Sequence, residues 1–85
     1  MNENSHVLLL LKSAYEKSGK THKEIAEEIN ATQPYISKTF SGRQYASLAM
    51  LIKIGHVVGL ETKQITTAWK KDKISEIDAE IAKFN

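Results

Sequence analysis

The residues best equipped for chemistry in this chain cluster in one short stretch, TQPYISK, from Thr32 to Lys38. On a helical wheel with Ile36 at zero, Phe40 falls at about 40° and Thr39 at about 300°, the side of a core. Pro34 then lies near ~160°, Lys38 near ~200°, Tyr35 near ~260° and Ser37 near ~100°, on the outward side. That face combines a phenol, a hydroxyl and an ammonium, with the Gln33 amide at the helix mouth. Such groups donate and accept hydrogen bonds and carry one positive charge. Polar faces on short helices are more often simply solvated, so the face by itself does not decide a function.

Catalytic and metal-binding patterns are missing elsewhere. His6, His22 and His56 are widely spaced, with no His-x-x-x-His pair and no cysteine in the chain. They read as surface histidines, and no metal is expected. Ser41-Gly42 lacks the flanking pattern of a nucleophile elbow. Glu27 and Glu28 are adjacent and point to different sides of a helix, which suits a solvated face better than acid–base catalysis. There is no glycine-rich phosphate loop. The chain reads as not an enzyme, with no cofactor.

Composition bounds the rest. The 85 residues make one domain near the lower end of what folds alone. A hydrophobic share of 41% supplies a core but not a deep enclosed active site as well. The absence of cysteine removes disulfides and thiolate metal sites and is compatible with a reducing cytoplasm, the expected location. The apolar run Val7–Leu11 is far too short to span a membrane. Glu3, with no Lys or Arg before that run, does not read as a signal peptide. The net charge of +2 is weak support for a polyanion partner. Residues 1–46 carry six Lys/Arg and five Asp/Glu, residues 47–73 five and two, and residues 74–85 one and three. A basic patch has to be assembled by folding, since no run of charge supplies it.

Helical signals recur along the chain. Ser5 can cap a first helix over 6–18, with Leu8, Leu11 and Tyr15 in a stripe beside Ala14, closed by Gly19. Thr21 and Glu24 form a capping box for a second helix, whose Ile25, Ala26 and Ile29 face inward and which stops at Asn30. A third runs from Thr32–Pro34 to about Phe40 and stops at Gly42. Joined by so few residues, the second and third must cross steeply. Ser47 can cap a fourth helix that Gly59 closes. Gly55 inside it costs roughly 1 kcal/mol against Ala, which suggests close approach to another helix. Thr62 can cap a short fifth helix with Ile65, Ala68 and Trp69 on one face. Lys70–Lys73 marks a weak boundary. Beyond it Ile74, Ile77, Ile81 and Phe84 repeat at three, four and three residues, about a heptad and a half. The fold expected is all-α, a bundle of five to six helices. The domain division expected is 1–70, followed by a helical tail over 71–85.

In this order and register, the sequence from Thr21 to Leu60 resembles the helix-turn-helix of the Cro/C1-type (phage repressor-like, XRE) family. Thr21, Ile25, Ala26, Thr32, Ile36, Gly42, Leu48, Leu51, Ile54 and Val58 carry the resemblance, which extends over about residues 7–60. It implies a lambda repressor-like helix-turn-helix with an added C-terminal helix. The family often places an Arg on the first helix and a Glu late in the third. Here Tyr15 and Phe40 hold those positions, and ring contact, with centroids within about 7 Å, is expected to replace the ion pair. The family register makes Thr32 the cap of the third helix. The residue before a proline is pushed away from helical angles, which instead favours Gln33 as cap and Pro34 as first helical residue.

The resemblance implies double-stranded DNA as partner, with the third helix in the major groove. Gln33, Pro34, Tyr35, Ser37 and Lys38 are then the base-reading set: the Gln33 amide suits adenine and the Lys38 ammonium suits guanine. Thr21, His22 and Lys23, with Thr32, suit phosphate at helix N-termini. Ser41, Arg43 and Gln44 follow the third helix within reach of the neighbouring backbone. Met50, Val57 and Trp69, with Ile74, Ile77, Ile81 and Phe84, form more apolar surface than a small core needs. The tail folds back over the domain, or the surplus binds a second copy in a homodimer or another protein, and the two are compatible. The reading favoured is a cytoplasmic, sequence-specific regulator, a dimeric repressor on a near-palindromic operator. Two rivals remain: an antitoxin whose tail neutralises a toxin protein, and a helical interaction module without DNA binding.

Overall fold

Side-chain caps fix where the helices begin. In a computed structural model, which describes residues 5–84, the Ser5 hydroxyl accepts the Leu8 amide and opens α1, His6–Ser18. Glu3, used above for the N-terminus, lies outside the described residues. Thr21 and Glu24 exchange bonds of 3.1 and 3.0 Å in a full capping box at the start of α2, His22–Ile29. Asn30 ends α2 in the left-handed conformation, φ 58°, and Ala31 then donates to the Ala26 carbonyl at 2.8 Å. Asparagine tolerates this conformation better than most non-glycine residues. Only Asn30, Ala31 and Thr32 separate α2 from α3, Gln33–Phe40.

At α3 the proline argument gives way. Thr32 is the cap, its hydroxyl accepting the Tyr35 amide at 3.3 Å, and Gln33 and Pro34 are the first two helical residues. A proline in the first turn loses nothing, because the amide it lacks has no intrahelical acceptor there. The family register, with Thr32 as cap, is the one observed.

Ser47 caps α4, Leu48–Val57, through the Met50 amide at 3.3 Å. Gly55 is buried against α5: a Cβ built there would overlap the Ile65 side chain and touch Leu11. The missing methyl is what lets α1, α4 and α5 meet. The core they enclose includes Leu8, Leu11, Ile25, Ile36, Leu51, Ile54 and Ile65, all fully buried.

The C-terminal segment differs from the sequence expectation in two ways. The cap is Glu61, whose amide donates to the Gln64 side chain at 2.9 Å, and Thr62 is already helical. The fifth helix and the tail are one helix, α5, Thr62–Ala82, unbroken through Lys70–Lys73. Lysine is a good helix former, and no glycine or proline interrupts the run. Of the two alternatives left open for the tail, folding back over the domain is not the one seen: Ile74, Ile77 and Ile81 remain 54–59% exposed and Phe84 86%. Among the described residues there are five helices and no strand. The extents of 46 × 24 × 20 Å describe an elongated molecule.

A clasp holds α5 on α1. The Asp72 carboxylate accepts the His6 amide at 2.7 Å and the Val7 amide at 3.1 Å, and its Oδ1 meets His6 Nδ1 at 2.9 Å. It thus satisfies two free amides at the positive end of α1 from a distant part of the chain. Asp72→Ala is expected to cost about 1.5–2 kcal/mol, from lost caps and charge-assisted bonds. Urea melts of the two proteins check this, and a loss below about 0.5 kcal/mol would mean the clasp is not formed in solution.

Candidate nucleic-acid interface

Helix α3 is anchored by its inner residues and presents its outer ones. Ile36, Thr39 and Phe40 are buried. Thr39 satisfies its hydroxyl on the Tyr35 carbonyl at 2.8 Å, which makes it tolerable in a core. Gln33, Pro34 and Lys38 are exposed; Tyr35 and Ser37 are half-buried, with Tyr35 packed on the core. Among the described residues, the Gln33 amide and the Lys38 and Lys23 ammonium groups have no hydrogen-bond or ion-pair partner in the chain. Free donors on a fixed helix are what an incoming polyanion would meet.

The N-terminus of α2 lies beside this face. Thr21 and Lys23 are exposed there, and His22 is half-buried. His22 Nδ1 lies 2.8 Å from the Ser37 hydroxyl, tying the first turn of α2 to the outer side of α3. The same imidazole stacks on Phe40, with centroids 5.2 Å apart and planes within 9°. Tyr15 completes the group, 4.9 Å from His22 and 5.1 Å from Phe40. The expected Tyr15–Phe40 contact is therefore present, and a third ring joins it. Sequence reading placed His22 at a helix N-terminus but gave no sign of its aromatic contacts, because Tyr15, His22 and Phe40 meet only in the folded packing.

The residues after α3 are arranged by a compact turn. Ser41 donates to the Lys38 carbonyl at 2.9 Å, and Arg43 Nε donates to the Ser41 hydroxyl at 3.2 Å. Arg43 is exposed, while Gln44 is half-buried and donates to the Tyr45 carbonyl at 3.2 Å. The exposed cations Lys23, Lys38 and Arg43 therefore come from α2, α3 and the following turn.

The residues assigned to association are placed elsewhere and fall in two groups. Met50, Val57 and Trp69 pack, half-buried, against the core, whereas Ile74, Ile77, Ile81 and Phe84 stand exposed along α5. A groove of about 360 Å³ near the start of α1 is lined by Val7, Tyr45, Trp69, Asp72 and Glu76 among others, with no residue of α2 or α3 in its wall. Among the described residues, no group of His, Asp or Glu could hold a metal ion, and no helix is long and apolar enough to cross a membrane.

Two short helices joined by three residues, with a polar, partly cationic outer face on the second, define the helix-turn-helix class. A family model described as helix-turn-helix matches residues 11–65, from within α1 to the first turn of α5. The chain belongs to the Cro/C1-type (XRE) helix-turn-helix family and is a DNA-binding regulator of that type. No curated protein and no solved structure matches the chain.

Proposed function

We propose that the protein is a cytoplasmic, sequence-specific repressor that binds a near-palindromic duplex as a homodimer and has no catalytic activity. The observation that carries this reading is the α3 face, where Gln33 and Lys38 offer unpaired donors beside the exposed Lys23 at the mouth of α2. In this reading Gln33, Pro34, Tyr35, Ser37 and Lys38 meet base edges. Thr21, His22, Lys23, Thr32, Ser41, Arg43 and Gln44 meet the flanking sugar–phosphate backbone. A bidentate amide on adenine or a lysine on guanine discriminates by about 1–3 kcal/mol per pair, whereas a phosphate contact holds every sequence alike.

Selection of bound duplexes from a random pool tests the reading and reports palindromy at the same time. An unenriched pool would sink it. With the selected site in hand, Gln33→Ala is expected to relax preference at one or two base pairs. Lys23→Ala should instead weaken all duplexes alike and reduce the salt slope by about one. Titrations on selected and scrambled duplexes at two salt concentrations separate these outcomes, and identical behaviour of the two variants would refute the division of labour.

A further inference from the structure

Helix α5 has two faces with different destinations. Ile65 and Ala68 are buried in the domain, and Asp72 clasps α1. With a turn of about 100° per residue, Ile74, Ile77, Ile81 and Phe84 lie about 100–180° around the helix from Ile65. They are 54–86% exposed. Since α5 runs straight through Lys70–Lys73, its own domain holds one side of the helix and cannot reach the other. Among the described residues nothing covers this seam, and it is open to another molecule.

The charges beside the seam identify that molecule. The apolar steps of three, four and three make Ile74 and Ile81 a positions and Ile77 and Phe84 d positions of a heptad. Lys73 is then a g residue, Asp78 an e residue and Glu80 the next g. In a parallel pair, g of one helix faces the following e of the other, so Lys73 meets Asp78 of the second copy, twice by symmetry. In an antiparallel pair like flanks meet, and Asp78 would face Asp78 and Glu80 would face Glu80. Lys73 now pairs with Glu76 at 3.2 Å and sits 5.4 Å from the centre of the Trp69 ring. These are exposed contacts of the weak kind that a stronger partner displaces.

We propose that α5 beyond Asp72 forms a parallel two-stranded coiled coil with a second copy of this chain, locked in orientation by Lys73 and Asp78. The proposal rests on the dimeric regulator reading and specifies its surface. In a parallel pair both domains leave from the same end, which lets two α3 helices address one duplex. Four apolar side chains per copy make a small contact, and interfaces below about 1,200 Å² are weak. The free protein is therefore expected to be in a monomer–dimer equilibrium.

The chain contains no cysteine, so engineered ones report orientation cleanly. Sedimentation equilibrium without DNA, from micromolar to millimolar protein, is expected to show reversible dimerisation. Ile77→Cys alone should give a disulfide dimer under mild oxidation, because d faces d in a parallel pair. Lys73→Glu should weaken the dimer at least fivefold, and Lys73→Glu with Asp78→Lys should restore it. Ile77 and Asp78 are exposed and Lys73 is half-buried on the surface of α5, outside the core, so the variants stay folded. A chain that stays monomeric throughout, or a disulfide that forms only when Ile77 and Ile81 are both replaced, as an antiparallel pair requires, overturns the proposal. A monomer that still selects a duplex sequence overturns only the coil; a dimer that selects none overturns the regulator reading.

Discussion

Phe40→Ala is expected to remove about 3–4 kcal/mol of stability, the usual cost of deleting a buried aromatic ring. Phe40 is 5% exposed and packs against Tyr15 and stacked His22. The cavity would open at the junction of α1, α2 and the end of α3, with little freedom to collapse. In a chain of this size, each kcal/mol shifts the midpoint by about 4–8 °C, so the melting temperature should fall by more than ~10 °C. Calorimetry and urea melts check this. A loss below about 1 kcal/mol would mean that the three rings are not packed in solution. Duplex affinity should fall as well, but only in proportion to the unfolded fraction, since Phe40 faces away from the reading side.

Lys38→Glu should show the opposite profile. Lys38 is exposed on α3 and its ammonium has no partner among the described residues, so stability should change by no more than about 0.5 kcal/mol. Affinity for the selected duplex is expected to fall at least ~100-fold, about 2.7 kcal/mol, as a contact is lost and a repulsive charge enters the groove. The deficit should shrink as salt rises, because the repulsion is screened. Anisotropy titrations at two salt concentrations measure both effects. If the variant binds within about threefold of the parent, α3 does not enter the groove with this face.

Much of the fold was legible because its signals are local. Thr21 with Glu24, Ser47 and Asn30 mark helix ends through groups only a few residues apart, and all three act as expected. The outward direction of Pro34 and Lys38 was legible too, because a helix turns at a fixed rate once Ile36 is assigned to the core, whereas Tyr35 and Ser37, expected on the same exposed face, are half-buried by contacts with the core and with His22. Where two local rules competed at Pro34, the hydroxyl of Thr32 decided, and the absent proline amide cost nothing. The parts that escaped depend on residues distant in sequence. Asp72 sits in a charged run that looked like a boundary, yet it caps a helix sixty-six residues away. His22 could be assigned to a helix N-terminus, but its place between two rings depends on how α1, α2 and α3 pack. The division of the interface between base-reading and backbone-holding residues remains a proposal that the variants above address.

The direction in which α5 aims its distal residues is set by arithmetic more than by residue identity. Each residue added or removed within Lys70–Lys73 would turn everything after it by about 100° relative to the anchored part. A two-residue insertion, a turn of about 200°, would swing Ile74, Ile77, Ile81 and Phe84 from the solvent side to the side that Ile65 and Ala68 occupy, without changing one of them. The helix thus works as a phase dial: small changes in length between its two halves can convert an outward-facing chain into a self-contained one, or give each descendant of this sequence a differently aimed partner face.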